Sequence, residues 1–244
     1  MNLKFLFACL FAGFLPLLAG ASQHKHEDEL ETNPSGFLRA PYVQLATPHS
    51  MYVVWRTETS NVPVVRFGKT VDNLDGVISG KAITIASGET NKNHKLPPGV
   101  RRLHSAPQNC WQYEALISGL EPASLYYYAV YNGDKRLTVA DASYHFRTQP
   151  FAGSDTPARF WVVGDSGTGR ESQSSIQAAM ASYIAKDNHL LDFYIHVGDM
   201  AYNRGRDAEF QSRFFEVYDS TLRNVVCWTV MGNHEGITSK GTNG

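Results

Sequence analysis

Between residues 37 and 150 the chain consists of short runs of β-branched and aromatic residues that alternate with turn-forming clusters. Runs of this length and composition, bounded by Gly, Pro, Asn and Asp, are typical of β-strands. They lie at residues 42–45, 51–56, 62–67, 82–87, 111–116, 125–131 and 142–148. About seven short strands in about 110 residues predict an all-β sandwich.

One corner of this segment is more specific than its composition. Gly119-Leu120-Glu121-Pro122 is followed by Leu125-Tyr126-Tyr127-Tyr128, an order that resembles the tyrosine-corner region of fibronectin type III domains. In that corner a tyrosine hydroxyl bonds back to the preceding turn. The resemblance implies a fibronectin type III-like domain over residues 37–150, with Trp55 between the sheets. The long loop 88–109 is an insertion or serves a neighbouring site, and the scattered histidines (His49, His94, His104 and His145) are interpreted as structural or surface residues.

After residue 150 the pattern changes to alternating strands and helices. Apolar runs at residues 158–163, 191–197 and 225–230 predict buried strands, and residues 172–186 and 208–222 carry apolar side chains at helical spacing. This alternation predicts an α/β domain over residues 151–244, with a parallel sheet covered by helices. Three strands make a short sheet, so we expect only the N-terminal half of such a domain.

The first residues predict export. Residues 1–4 carry one positive charge, residues 5–18 are almost purely apolar, and Ala19-Gly20-Ala21 fits a cleavage site. This is the pattern of a secretory signal peptide over residues 1–21, too short for a transmembrane anchor. The polar residues 22–36 predict a flexible leader. We therefore expect a secreted or periplasmic protein without a membrane anchor. Removal of the signal peptide takes Cys9 with it and leaves Cys110 and Cys227, whose pairing the sequence leaves open.

The composition changes this picture little. Hydrophobic residues make up 43% and charged residues 18% of the chain, and the formal net charge is −1. Those values are ordinary for a folded protein. Because no run of Lys or Arg is present, we expect no nucleic-acid partner. The sequence leaves the oligomeric state undetermined.

Candidate chemistry lies where the three later strands end, at Gly164-Asp165, Gly198-Asp199 and Gly232-Asn233-His234. Parallel sheets build their sites at the carboxyl ends of strands, so these side chains are expected to meet. The letters GDSG at residues 164–167 also occur in the nucleophile loop of trypsin-like proteases. That reading needs a double β-barrel rather than a strand that leads into a helix. Ser166 is therefore interpreted as a turn residue and Asp165 as the chemically active one.

Asp165, Asp199, Tyr202 and Asn233 offer oxygen donors that suit hard cations. A carboxylate between two strand ends can bridge two ions, and such a pair polarises a phosphoryl oxygen and lowers the pKa of a bound water. Free tyrosine has a pKa of about 10, so a phenolate ligand at ordinary pH needs a strongly acidifying ion such as Fe(III). His196, on the second predicted strand, is interpreted as a residue that packs against or orients its neighbours.

These blocks resemble the calcineurin-like metallophosphoesterases, and within them the purple acid phosphatases. Gly164-Asp165-Ser166-Gly167 matches their G-D-x-G, Gly198-Asp199-Met200-Ala201-Tyr202 matches G-D-x-x-Y, and Gly232-Asn233-His234-Glu235 matches G-N-H-[DE]. Many other members carry D-x-H at the first block. Here Gly167 stands in place of that histidine and Tyr202 appears at the second block, which is the purple-phosphatase variation. A sandwich ahead of the catalytic domain also fits this group.

The resemblance implies a role for each matched residue. Asp165 and Tyr202 would ligate Fe(III), Asp199 would bridge the two metals, and Asn233 would bind a second, divalent ion (Fe, Zn or Mn). His234 would hydrogen-bond the substrate phosphate and protonate the leaving oxygen. The implied function is an exported binuclear-metal phosphoesterase of acid phosphatase type, which hydrolyses phosphate monoesters through a metal-activated hydroxide.

The chain departs from the family pattern after His234. The V-x-x-H and G-H-x-H blocks that complete both coordination spheres do not follow it. We therefore expect a fragment or a truncated product, inactive by itself. Two alternatives stay open: a phosphodiesterase or nucleotide hydrolase of the same superfamily, and a non-catalytic secreted β-sandwich binding module with an inactive phosphoesterase remnant.

Overall fold

The computed structural model describes residues 36–83, 110–186 and 190–239, without the side chains of the last two. The predicted signal peptide (1–21), all but the last residue of the leader (22–36), the long loop (88–109) with His94 and His104, and the final residues 240–244 lie outside these ranges. Within them, none of the helices combines the length and the apolar character that a membrane span requires.

The first part of the described chain forms two antiparallel sheets. Its strands are β1 (Phe37–Gln44), β2 (Ser50–Thr57), β3 (Pro63–Gly68), β4 (Gly76–Ser79), β5 (Lys81–Ile83), β6 (Trp111–Ser118), β7 (Leu125–Asn132), β8 (Lys135–Arg136) and β9 (His145–Arg147). One sheet has the order β1-β2-β6-β5 and the other the order β4-β3-β7-β8, with β9 paired to β7. The prediction of an all-β sandwich is confirmed.

Aromatic side chains fill the space between the two sheets. Trp55 is fully buried beside Tyr113, with ring centroids 5.5 Å apart. The backbone N–H of Glu121 donates to the hydroxyl of Tyr126 at 3.0 Å, which is the hydrogen bond of a tyrosine corner. Both the core tryptophan and the corner therefore lie where the fibronectin type III resemblance placed them.

The second part of the chain forms a parallel sheet with helices. The elements are β10 (Phe160–Val163), α1 (Glu171–Lys186), β11 (Phe193–His196), α2 (Asp207–Phe210), a π-helical turn (Gln211–Phe215), α3 (Asp219–Leu222), β12 (Cys227–Thr229) and α4 (Asn233–Ser239). The strand order is β10-β11-β12, and both pairings are parallel. The predicted α/β architecture is confirmed, and we call this part the α/β unit.

The segment 208–222 differs from the single helix that its apolar spacing predicts. The N–H of Glu216 bonds to the carbonyl of Gln211, so the helix widens to a π turn. Tyr218 then leaves helical geometry, with φ −101 and ψ 14, before α3 begins. The apolar side chains still face the core, because Phe214 and Tyr218 are 4% and 1% exposed. The segment therefore keeps its apolar side chains packed in the core although its backbone is not a regular α-helix.

The two faces of the parallel sheet have different environments. On one face Trp161 stacks on Tyr194 at 4.9 Å and packs against the helices. On the other face Phe160, Val162 and Trp228 are 51%, 49% and 40% exposed. Only one side of this sheet is therefore covered within the described residues.

The sandwich and the α/β unit each contribute residues to the hydrophobic core of the other. Tyr42 and Val54 of the sandwich pack in the core of the α/β unit, and Val226 of that unit packs in the core of the sandwich. The hydroxyl of Tyr128 also donates to the carbonyl of Arg223 at 2.7 Å. The two parts are thus packed through both apolar and polar contacts.

Cys110 and Cys227 are free thiols, so the pairing that the sequence left open is not formed.

Candidate metal centre

The loops that follow β10, β11 and β12 meet at one edge of the parallel sheet. Asp165 lies in the first loop, Asp199 in the second, and Asn233 begins α4 after the third strand. Asp165 and Asp199 have φ values of 52 and 56, in the left-handed region that Asp tolerates better than most residues. The sequence therefore placed all three side chains at the correct edge.

Backbone hydrogen bonds join the first two loops. The N–H of Asp165 donates to the carbonyl of Gly198, and the N–H of Gly167 donates to that of Asp199, both at 3.0 Å. The N–H of Tyr202 donates back to the carbonyl of Gly167 at 3.0 Å. A Cβ atom on Gly167 would collide with the carbonyl of Met200, so only glycine allows this approach.

A buried carboxylate joins the second loop to the third. Glu235 is 4% exposed and accepts hydrogen bonds from the backbone N–H groups of Asp199 at 2.8 Å, Ala201 at 2.9 Å and Gly232 at 2.8 Å. Glu235 fixes the backbone on both sides of the site. No role for Glu235 was predicted from the sequence, although its acidic position in the third block was a signal.

The predicted ligands and the predicted acid converge at this edge. The hydroxyl of Tyr202 donates to Oδ1 of Asp165 at 3.0 Å, and the backbone N–H of His234 donates to Oδ1 of Asp199 at 3.0 Å. The rings of Tyr202 and His234 lie 4.3 Å apart. Asn233 is the exposed residue directly before His234. The structure thus brings a phenol, two carboxylates and an imidazole into one cluster.

The Tyr202 phenol is held in its protonated form. Desolvation and its hydrogen bonds to the carboxylates of Asp165 and Asp199 raise its pKa well above the ordinary value of 10.0. An ion that binds this oxygen has to displace the proton that the phenol donates to Asp165. The phenol and carboxylate oxygens already face each other, so their arrangement fits a shared hard cation.

The donor set contains few of the commonest metal-binding side chains. Within the ranges 36–83, 110–186 and 190–239, no three His, Cys, Asp or Glu side chains form a group that could hold a metal ion. The candidate donors of this site include two carboxylates of that set, Asp165 and Asp199, together with a phenol and an amide. The described histidines of the sandwich bind carbonyls of their own domain, His49 at Leu120 and His145 at Ala142.

His196 lies beneath the site, fully buried in the sheet. Its Nε2 atom is 2.8 Å from Oγ of Ser166, and its Nδ1 atom has no hydrogen-bond partner among the described residues. Burial lowers the pKa of His196 to about 4, so the ring is neutral near pH 7. Ser166 therefore does more than form a turn, because it provides the hydrogen bond of this buried imidazole.

A sandwich followed by a parallel sheet with acidic and amide donors at its strand ends defines the architecture of a calcineurin-like phosphoesterase. The family model for the calcineurin-like phosphoesterase matches residues 158–243, and that for the purple acid phosphatase N-terminal domain matches residues 39–148. The chain belongs to the purple acid phosphatase family.

Two further comparisons agree with this. A protein named probable purple acid phosphatase 20 from Arabidopsis thaliana is 29% identical over 198 residues, which cover 80% of this chain and 38% of that protein. The solved structure of a purple acid phosphatase from yellow lupin (Lupinus luteus) seeds has a similar fold, with a TM-score of 0.61 and 19% identity. The likeness covers 82% of this chain and 36% of the lupin chain. The chain therefore spans less than two fifths of the length of either relative.

Proposed function

We propose that this chain belongs to an exported phosphoesterase of acid phosphatase type that hydrolyses phosphate monoesters at a binuclear metal centre. The observation that carries the proposal is the convergence of Tyr202 on Asp165, at 3.0 Å between their oxygen atoms, on two different strand-end loops. A tyrosine and an aspartate held together at the edge of a parallel sheet form a hard-donor site rather than a turn.

Each residue has a proposed role in holding the ions. Asp165 and Tyr202 would bind Fe(III), Asp199 would lie between the two ions, and Asn233 would bind the second ion, which is Fe, Zn or Mn. When bound, the two ions would polarise the phosphoryl group and provide an activated water at neutral or acidic pH. Because the pKa of Tyr202 is raised, its oxygen would lose the proton only to a strongly acidifying ion. Binding would then release the tyrosine proton to solvent.

His234 is the proposed general acid for the leaving group. Its Nδ1 atom lies 2.7 Å from the carbonyl of Asn203, and this bond leaves Nε2 as the atom for substrate. A carbonyl can only accept, so Nδ1 carries a proton. The backbone N–H of His234 also holds the carboxylate of Asp199 at 3.0 Å. His234 therefore orients a proposed metal ligand through its backbone and presents Nε2 through its side chain, and Nε2 can donate a proton to the leaving oxygen only when both ring nitrogens carry one.

The test is metal-dependent ester hydrolysis by the protein expressed from its complete reading frame. After loading with Fe(III) and Zn(II), we expect it to hydrolyse p-nitrophenyl phosphate faster than bis(p-nitrophenyl) phosphate. Asp199→Asn is the matched control, since it keeps the size of the side chain and removes its charge. Hydrolysis of neither ester at full metal loading would contradict the proposal and favour a binding module. Faster hydrolysis of the diester would favour a phosphodiesterase.

Export has its own test. If residues 1–21 are a signal peptide, the mature protein purified from its native source should begin at residue 22. N-terminal sequencing or intact mass measurement would show this directly. A mature protein that retains residues 1–21 would contradict export by this route.

A further inference from the structure

Two arginines of the sandwich point into the α/β unit. Arg39 on β1 and Arg56 on β2 are cross-strand partners, and their side chains are 5% and 11% exposed. Both bind Oδ1 of Asp207, at 3.2 Å and 2.7 Å. The guanidinium of Arg39 also lies 3.8 Å from the ring centroid of Phe215. These charges are buried between the two parts of the molecule.

Asp207 is the first residue of α2, directly after the loop that carries Tyr202. The same helix holds that loop through Glu209. Its carboxylate accepts hydrogen bonds from the backbone N–H groups of Asn203 at 2.8 Å, Arg204 at 3.0 Å and Arg206 at 2.9 Å. The sandwich arginines therefore hold the helix end on which the loop is fixed.

A second connection runs through the π turn. Nε of Arg39 donates to Oε1 of Gln211 at 2.8 Å, at the start of this turn. Two residues later, the guanidinium of Arg213 donates to the carbonyl of Tyr202. Gln173 of α1 donates to the carbonyl of Arg213 at 2.5 Å and accepts from the N–H of Gly169 at 2.9 Å. The π turn is thus bonded directly to the Tyr202 loop and, through Gln173, to the loop that carries Asp165.

The bonds of Arg39 and Arg56 to Asp207 and Gln211 are better suited to orienting the two parts of the molecule than to holding them together. Two guanidinium groups share one carboxylate, and both are removed from water at a cost that their attraction to Asp207 only partly offsets. Apolar residues of similar volume would hold the two parts together at least as strongly. Directional bonds from rigid strands instead fix where α2 and the π turn lie.

We propose that Arg39 and Arg56 are positioning residues for the metal centre, which makes the sandwich a structural part of the site. They act through Asp207 and Gln211 on the loop that carries Tyr202. This inference rests on the proposed function where it treats Tyr202 as a metal ligand. The placement of the loop itself is independent of that assignment.

The experiment compares Arg39→Met with Arg66→Met in the protein from the complete reading frame. Arg66 is the comparison arginine away from the site: it also lies on a sandwich strand, pairs with Asp134 at 3.5 Å and covers the ring of Tyr131 at 4.8 Å, but its side chain is 38% exposed. In the metal-free protein we expect Arg39→Met to accelerate hydrogen exchange at residues 203–206 by about tenfold. In the Fe(III)-loaded protein the tyrosinate absorption band should shift or weaken. Arg66→Met should change neither.

Two results would overturn the inference: unchanged exchange at residues 203–206 in Arg39→Met, or an equal change in Arg66→Met. If the wild-type protein is colourless at full loading, the assignment of Tyr202 fails, but exchange still decides the role of Arg39. If Arg39→Met does not fold, Gln211→Met replaces it, because it removes the bond to Arg39 without changing charge. Faster loop exchange in Gln211→Met would support the inference, and unchanged exchange would overturn it.

Discussion

Replacing Glu235 with glutamine tests whether a buried carboxylate holds the strand-end loops together. One oxygen of Glu235 accepts from the N–H groups of both Asp199 and Gly232, and the other accepts from Ala201. Glutamine can keep an oxygen on the first side only, which turns its NH₂ group toward the N–H of Ala201. Two donors then face each other in a position from which water is excluded.

The size of the effect follows from these bonds. An orphaned buried donor costs about 1–3 kcal/mol. The two bonds that remain change from charge-assisted to neutral, which roughly halves the strength of each. We therefore expect Glu235→Gln to lower the free energy of unfolding by about 3–5 kcal/mol. For a protein of this size the melting temperature should fall by about 10 °C, measured by circular dichroism.

Glu209→Gln provides the matched control. Glu209 also accepts bonds from backbone N–H groups of its neighbouring loop, but those bonds are exposed to solvent. Water can replace a lost acceptor there, so we expect a cost of about 1 kcal/mol or less. Equal destabilisation by Glu209→Gln and Glu235→Gln would show that burial does not set the cost of losing these hydrogen bonds.

Further predictions concern the site and its pH dependence. Tyr202→Phe should abolish the visible band of the Fe(III)-loaded protein and leave its circular dichroism spectrum unchanged. Asp199→Asn should reduce the metal content more than any other single substitution. His234→Ala should retain the metals and lower turnover by about 10²–10⁴, and loss of both metals in this variant would show that His234 is a ligand. Burial lowers the pKa of His196 from 6.5 to about 4, so the unfolded chain binds this proton first as the pH falls. The metal-free protein should lose about 3 kcal/mol of stability between about pH 6.5 and 4 from this group, and His196→Gln should flatten that dependence in thermal unfolding.

Much of the fold follows from local patterns in the sequence. Alternating and apolar runs gave the positions of most strands, because residues that face a core repeat with the period of the backbone. β4 (Gly76–Ser79) was not predicted, since its four residues are half-buried or exposed and show no core-facing run. The π turn was not predicted either, because an unbroken helix satisfies the same apolar spacing.

The sequence predicted which residues are the candidate metal donors, but not the residues that hold the donor loops in place. Asp165 and Asp199 follow parallel strands, which predicted that they lie at one edge of the sheet. Tyr202 and His234 follow in the same loops, which predicted that they lie beside these carboxylates. Glu235 binds backbone groups of a distant loop, and no sequence pattern records which N–H groups lack an acceptor. Arg39 precedes the first predicted strand (42–45), and a charged residue ordinarily faces solvent, so nothing in the sequence separated Arg39 from a surface arginine.

The close approach of Gly167 to Met200 makes the position of Tyr202 depend on the size of the residue at 167. A histidine at position 167, as in the D-x-H pattern of other calcineurin-like enzymes, would push the second loop away and displace Tyr202 with it. A larger residue at 167 would therefore act on the Tyr202 phenol at a distance, through the backbone of the second loop.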